Sequence, residues 1–404
     1  MIPELLAPAG NLEKLKVAVT YGADAVYLGG RHFSLRAGAG NFDEKEMAEG
    51  VRFAHQRGAR VYITANIFAR NRDLVTLPEY IRRIYAAGAD GVIVSDPGVV
   101  DLIRQLHPEL AVHLSTQANA TNWAAARFWK NLGVSRIVLA RELSLNEIRE
   151  IKERVDLDLE VFIHGAMCIA YSGRCLLSSY LAGRDANQGD CAQSCRWRYS
   201  LVEEKRPGEY MAFEEDNRGS YILGSRDLCL IEHIPELIQA GVKSFKIEGR
   251  MKSVHYVATV VKTYREALDA YREDPVNYRT HQAWLDEIKK VSHRAYTKGF
   301  LFGNPGPAGQ HYDGEIYRRS HSFTAVIRDY DRTSGMALVE QRNHFALGDE
   351  MEILVPTGNN FKQKVTAIYD ELGCPAESAP HPRQMLRLPL EKPAPPYSMM
   401  RKRV

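Results

Sequence analysis

No run of about 18 consecutive apolar residues occurs anywhere in this 404-residue chain, so no membrane-spanning helix is expected. Charge of one sign is also scarce. Fifty-three basic residues against 50 acidic ones leave a net charge of +3, so any nucleic acid would have to be held by a local patch and not by an overall polycationic field. The opening stretch Met1–Gly10 has no basic start, and Glu4 and Pro8 interrupt its apolar residues, which is not the pattern of a secretory signal. A cytoplasmic location follows as an expectation, and there clustered thiols read as metal ligands or redox groups rather than disulfides. Several catalytic signatures are missing. There is no His-Glu-x-x-His and no Gly-x-Ser-x-Gly, which removes the usual zinc-protease and nucleophile-elbow patterns. No Gly-x-Gly-x-x-Gly follows the first apolar run, which argues against a dinucleotide-binding doubly wound sheet.

What is present is ordinary globular composition, 45% apolar and 25% charged, arranged in a repeated local grammar. A helical stretch ends in glycine, a small residue follows, and a short apolar or β-branched run comes next. This occurs at Gly22–Leu28, Gly58–Ile63, Gly88–Val94, Gly133–Leu139 and Gly241–Ile247. Glycine suits a left-handed helix C-cap, and the run after it reads as a strand buried on both faces. Glu4–Ala7, Ala111–Ser115 and Leu159–Ile163 bring the candidate strands to eight. Amphipathic segments at 11–21, 44–57, 76–87, 121–132 and 144–154 separate them, with Asn11, Asp43, Thr121 and Ser144 as N-caps. The pattern predicts an α/β fold, a TIM-like (β/α)8 barrel over residues 1–275. Helices near 253–273 and 280–292 follow, and 276–314 reads as a helical linker ending in the Pro/Gly-containing stretch 303–314. Alternating segments at 322–328, 336–340, 350–355, 363–368 and 385–388 predict a small C-terminal β-barrel domain over 315–395. Arg401, Lys402 and Arg403 then read as a frayed basic end that could help hold a nucleic acid.

One interval breaks the rhythm. From Ile163 to Phe245 the chain spends about 80 residues where a β-α unit needs roughly 30 to 40. The surplus, an insertion over 165–225, starts at the C-terminal end of the seventh strand, the face on which barrel active sites are built. Five of the six cysteines lie in this interval, four of them spaced Cys-x6-Cys-x15-Cys-x3-Cys at Cys168, Cys175, Cys191 and Cys195. Four thiolates from one loop suit either Zn²⁺ or an iron–sulfur cluster, and spacing alone leaves both open. The bland alternative, buried unligated cysteines, fits poorly with so many thiols amid Gly, Ser and Asn. A Cys-x3-Cys-x2-Cys triplet is absent, since Arg196, Trp197 and Arg198 follow Cys195. A cluster with an open iron for adenosylmethionine is therefore not expected.

The segment Glu160–Ser178, reading EVFIHGAMCIAYSGRCLLS, closely resembles the signature of the collagenase-like peptidase U-32 family. The stretches Leu5–Asn11, Gly22–Gly29 and Lys246–Arg250 match it too, so the likeness spans essentially the whole chain. Asn187–Trp197 and Arg206–Met211 resemble the tRNA-hydroxylating branch of that family. The resemblance implies a [4Fe–4S] protein acting on tRNA to make wobble 5-hydroxyuridine, with prephenate as a co-substrate. It assigns Cys168, Cys175, Cys191 and Cys195 as ligands. In relatives that hydroxylate ubiquinone precursors, a cysteine near the position of Cys229 replaces the last of these, so the fourth ligand stays open between Cys195 and Cys229. The family name implies a second reading, a peptidase. A third is a zinc-stabilised RNA-binding protein.

Polar residues at the barrel strand ends complete the candidate site. His164, Glu248 and Arg250 are the catalytic candidates, and Asn66, Gln117, Arg141, Lys246, Arg196 and Trp197 the substrate-binding ones. His164 can serve as a proton donor, or as a partner to a cluster sulfur. Arg250 with Lys246 can hold a small carboxylate, unless it pairs with Glu248 or Glu142. Arg174, Arg184, Arg196 and Arg198, with Tyr171, Trp197 and Tyr199, place cations and ring faces around the cysteine loop, as an unpaired anticodon base would require.

Overall fold

The computed structural model describes residues 2–36, 38–197, 225–309 and 317–404, together with four short backbone strands between 201 and 220. Arg198, Tyr199 and the side chains of the Arg206–Met211 stretch, singled out above, lie outside the described residues. All eight expected barrel strands form. They belong to the series β1 (Glu4–Pro8), β2 (Ala25–Gly29), β3 (Arg60–Ala65), β4 (Gly91–Val94), β5 (Ala111–Leu114), β6 (Arg136–Val138), β7 (Asp158–Ala166), β8 (Asp227–Cys229) and β9 (Ser244–Ile247). Strands β1 to β7 run parallel in sequence order, and β9 closes the ring by pairing with both β1 and β7. β8 is the addition: it runs antiparallel to the C-terminal extension of β7, with Cys229 opposite His164. The glycines between helix and strand behave as their position demands, as at Gly133 with φ of 88°.

The helices follow from their caps and apolar faces. Asn11, Asp43 and Ser144 cap α1 (Leu12–Thr20), α2 (Glu44–His55) and α6 (Leu145–Arg154), the last two with reciprocal capping boxes. α3 (Leu77–Ala86), α4 (Pro97–Leu106) and α5 (Trp123–Asn131) complete this part of the outer ring. Thr121 is not the cap of α5. Asn122 is, its carboxamide oxygen accepting from Ala125 N at 2.9 Å, because the helix begins at Trp123, one residue later than a Thr121 cap would set.

The barrel lumen is filled, not hollow. Glu160 on β7 is fully buried and pairs with Lys246 at 2.7 Å and Arg136 at 3.4 Å. Arg136 reaches Glu4 at 2.6 Å, and the Tyr62 hydroxyl donates to Glu4 at 2.7 Å. Every charge in this layer has a partner, as burial requires. His113, beside Tyr62, is pushed down to about 3 by burial and stays neutral.

After α9 (Val254–Glu273) and α10 (Gln282–Ile288), the stretch expected as a linker returns to the barrel: β10 (Tyr296–Thr297) adds parallel to β8, and Leu301 O accepts from Leu145 N. The C-terminal part is a six-stranded antiparallel sheet made of β11 (His321–Asp331), β12 (Met336–Gln341), β13 (Glu350–Leu354), β14 (Phe361–Lys364), β15 (Met385–Pro389) and β16 (Met399–Arg403). The order is β14-β13-β16-β11-β12-β15. The chain leaving β14 curls back so that Tyr369 bridges Arg387 on β15, which brings the two edges of the sheet together. The expected frayed end is therefore a correction: β16 lies inside the sheet between β13 and β11. Its cation Arg401 is fully buried, held by Glu287 at 2.6 Å and Glu352 at 3.2 Å. Tyr21 on the barrel donates to both Leu354 O and Tyr397 O at 3.0 Å, tying the two parts together. No helix among the described residues is long and apolar enough to cross a membrane.

Candidate functional site

The cysteine insertion is pinned across the C-terminal mouth of the barrel by contacts from several strand ends. Beyond β6, the Glu142 carboxylate accepts from Ser172 N at 3.1 Å and from the Ser172 hydroxyl at 3.1 Å. Beyond β5, the Gln117 carbonyl lies directly under Gly173, where a Cβ would meet the oxygen at 2.0 Å with φ at +74°. Only glycine fits that contact and that backbone. Beyond β3, Phe68 N donates to Asn187 O at 3.0 Å, the Gln188 amide donates to Phe68 O, and Arg70 pairs with Asp185 at 3.1 Å. Within the insertion, Asn187 donates to Cys175 O at 3.1 Å, the Ser178 hydroxyl of α7 (Leu177–Ala182) accepts from Ala192 N at 2.9 Å, and Arg184 pairs with Asp190 at 2.6 Å.

All four thiols of this segment are free, with Cys168 and Cys191 exposed and Cys175 and Cys195 half-buried. They share one neighbourhood. Burial raises the Cys195 thiol, Arg196 counters it, and Cys168, Cys191 and Cys175 push it further up. Gln193 N donates to Cys191 Sγ at 3.4 Å. Among the described residues no three His, Cys, Asp or Glu side chains are drawn together at ion-holding distance. The four donors are all sulfur and unbridged, the ligand type that a thiolate-held metal group requires. Cys229 stands elsewhere. It is buried on β8, 3.8 Å from the Tyr264 hydroxyl, and burial pushes its thiol up to about 11.

Below the loop sits a charged cluster that is richer in cations than in anions. Glu248 pairs with Arg36 at 3.4 Å and Arg141 at 3.6 Å. Burial alone would raise its carboxyl, but Arg36, Arg141 and Arg250 outweigh it and the pKa falls. Arg141 also lies over the Phe162 ring at 3.8 Å. Arg250 is 3% exposed and makes its hydrogen bonds to neutral groups, Ser34 and Asn41 at 2.5 Å and Thr64 at 3.5 Å. Burial pulls it down to about 10, and its Nε has no partner among the described residues. Arg250 thus makes no ion pair with Glu248 or Glu142 among the described residues. Lys246 does not join it in an open carboxylate grip, because its ammonium is engaged by Glu160 inside the lumen.

The remaining candidates divide into scaffold and surface. Asn66 donates to the Ser115 hydroxyl at 3.1 Å and accepts from Leu35 N, stitching three strand-end loops. Gln117 is half-buried and supports Gly173 through its backbone. His164 is enclosed among Tyr256, Tyr264 and Tyr296, with Nδ1 3.4 Å from the Tyr264 hydroxyl. Burial lowers it to about 3, so the ring is neutral, and its Nε2 has no partner among the described residues. Arg196 donates to Gln193 at 2.5 Å and to the Tyr317 hydroxyl at 2.9 Å, while Trp197 is half exposed beside it. Tyr171 and Tyr180 expose their rings on the same loop. Arg36 was not among the sequence candidates. Its pairing with Glu248 raises its pKa above the ordinary value, against the burial that works to lower it. Its position just past β2 was the signal available.

Fold and site together define a TIM-like barrel protein with a cysteine-bearing lid segment and a C-terminal antiparallel sheet domain. The peptidase family U32 model matches residues 10–311 and the peptidase family U32 C-terminal domain matches 319–401, so the chain belongs to the U32 family. It is similar to tRNA hydroxylation protein P1 of Bacillus subtilis (strain 168), 46% identical over 99% of this chain and 94% of that protein. It is also similar to 23S rRNA 5-hydroxycytidine C2501 synthase of Escherichia coli (strain K12), at 38% identity over 88% of this chain and 55% of that protein. A collagenase of Porphyromonas gingivalis (strain ATCC BAA-308 / W83) is 32% identical over 91% of this chain and 90% of the relative.

Proposed function

We propose that the protein is a tRNA-modifying enzyme that hydroxylates the wobble uridine to 5-hydroxyuridine, with a [4Fe–4S] cluster on Cys168, Cys175, Cys191 and Cys195. The observation that carries this reading is the set of four unbridged thiols on one segment pinned over the barrel mouth, in a chain whose relatives include a tRNA hydroxylation protein and a 23S rRNA 5-hydroxycytidine synthase. When bound, the cluster supplies electron transfer, which an oxidation at C5 of uracil requires. The chain's own residues do the rest. Arg36, Arg141 and Arg250 outnumber Glu248 and suit a small carboxylate co-substrate such as prephenate. Tyr171, Tyr180 and Trp197 offer stacking faces for unpaired bases, with Arg174 and Arg184 beside them for phosphates. Proteolysis finds less support: Cys168 belongs to the sulfur set, and His164 is turned to Tyr264.

The test is iron and sulfide analysis of anaerobically prepared protein, alongside nucleoside mass spectrometry of bulk tRNA from a strain lacking the gene. About four irons and four sulfides per chain, lost in Cys175→Ser, and disappearance of 5-hydroxyuridine derivatives are expected. Stoichiometric zinc without iron, or unchanged nucleosides in a strain with no second copy, refutes the proposal. Gelatin cleavage that survives Cys168→Ser would point to the peptidase.

A further inference from the structure

A cleft of about 110 Å³ opens beside the cysteine loop, bordered by Glu142, Cys168, Tyr171, Ser225, Phe300 and Asn304 among others. Of the four clustered cysteines only Cys168 borders it, so the cleft lies next to the sulfur set and is not the space between the sulfurs. Its volume is well under the roughly 300 to 1,000 Å³ of sites for drug-sized ligands. That leaves room for a single ring but not for a whole nucleotide.

The polar lining is not saturated. Ser225 is 4% exposed, yet its hydroxyl has no partner among the described residues. A buried hydroxyl without a partner is destabilising, and a ligand acceptor would relieve it. The Asn304 carboxamide oxygen accepts from Gly306 N at 2.9 Å, which leaves its amide hydrogens as the donors it can offer. Glu142 accepts only from Ser172 among the described residues, and a carboxylate has lone pairs to spare. Two donors and one acceptor are the complement of the uracil edge, whose O2 and O4 accept and whose N3–H donates. Cytosine presents an acceptor at N3, which the Glu142 carboxylate repels.

We propose that this cleft is the seat of a flipped-out uracil base, read by Glu142, Ser225 and Asn304 and placed next to Cys168. The inference rests on the tRNA-hydroxylation reading and adds to it a base pocket and a reason for uridine over cytidine. Enzymes that modify a base extrude it into a snug pocket of this kind.

The experiment is fluorescence anisotropy at fixed salt, using anaerobically prepared full-length protein and short hairpin RNAs. The loop carries uridine, cytidine or an abasic site at one position. Wild type is expected to bind the uridine hairpin roughly tenfold more tightly than the cytidine one, and Ser225→Ala and Asn304→Ala each to lose most of that preference. Affinity for the abasic hairpin should stay at the wild-type value in both variants, which separates a lost base contact from misfolding. Glu142→Gln, which can donate to cytosine N3, should narrow or invert the preference. Equal binding of the uridine and cytidine hairpins by wild type, or variants that keep the full preference, overturns the pocket while leaving RNA modification standing. No binding of any hairpin overturns both.

Discussion

Arg401 provides a stringent test of how the C-terminal sheet is held. Its guanidinium lies on a strand inside the sheet with no exposed surface, against Glu287 at 2.6 Å and Glu352 at 3.2 Å, and it also reaches Thr259 at 3.4 Å. Arg401→Met keeps the length and the packing but leaves the buried Glu352 and the half-buried Glu287 with Lys290 as their main remaining cation, 2.8 Å from each. Removing one partner of a buried pair costs about 3 to 5 kcal/mol, and Lys290 places the loss near the lower end, about 3 kcal/mol. The pH dependence gives a second handle. Burial would raise the Glu352 carboxyl, but Arg401 and then Lys290 hold it at about 2 instead of the ordinary 4.5. A carboxyl depressed by that much contributes about 3 kcal/mol. That contribution is complete above pH 4.5 and is lost as pH falls through 2. Urea unfolding followed by tryptophan fluorescence is a suitable assay, since Trp284 shares α10 with Glu287. The difference between wild type and variant should be near its full size at pH 7 and shrink steadily from pH 4.5 downward. A variant as stable as wild type at pH 7, or a difference that does not change with acid, would refute the reasoning.

Two further outcomes follow from the site. Gly173→Ala puts a Cβ 2.0 Å from the Gln117 carbonyl oxygen, so the loop must lift. Iron content of anaerobic protein should fall severalfold while far-UV circular dichroism keeps the barrel signature, and unchanged iron would sink the idea that this contact seats the loop. His164 is held at about 3 against an ordinary 6.5 because burial disfavours its charge. The unfolded chain then takes up a proton first, and stability drains away as pH falls below 6.5. Between pH 6.5 and 5 the wild type should lose about 2 kcal/mol more than His164→Gln, and parallel curves for the two proteins in urea melts would count against a neutral ring.

Legibility of the fold tracked how locally each feature is encoded. The eight barrel strands announce themselves because a run buried on both faces is mostly apolar and, for five of them, because the glycine before it must turn left-handed, both visible within ten residues. β16 does not, since Met-Met-Arg-Lys-Arg looks like a solvated tail. Arg401 can be buried only because Glu287 and Glu352, far away in sequence, come to meet it. Lys246 was misread for the same reason. Its place near a strand end suggested the open mouth, but Glu160 on the neighbouring β7 draws the ammonium into the lumen. The four clustered cysteines are plain from their spacing, whereas Arg36, which pairs with Glu248, carries no spacing signal of its own. The cleft at Ser225 and Asn304 unites residues from four separated stretches and could be seen only in three dimensions.

The anchors of the cysteine segment have a consequence for assembly. Glu142, Gln117 and Phe68 sit past different strands, and none can take its place until those strands stand side by side. In a half-made chain the four sulfurs would trail on a slack tether and compete for stray metal or for one another. Once the ring is complete, the same sulfurs are presented in one fixed arrangement. For the cluster proposed above, maturation would be ordered by geometry: the scaffold must be finished before it can be charged, and a chain that stalls early offers no proper seat to load.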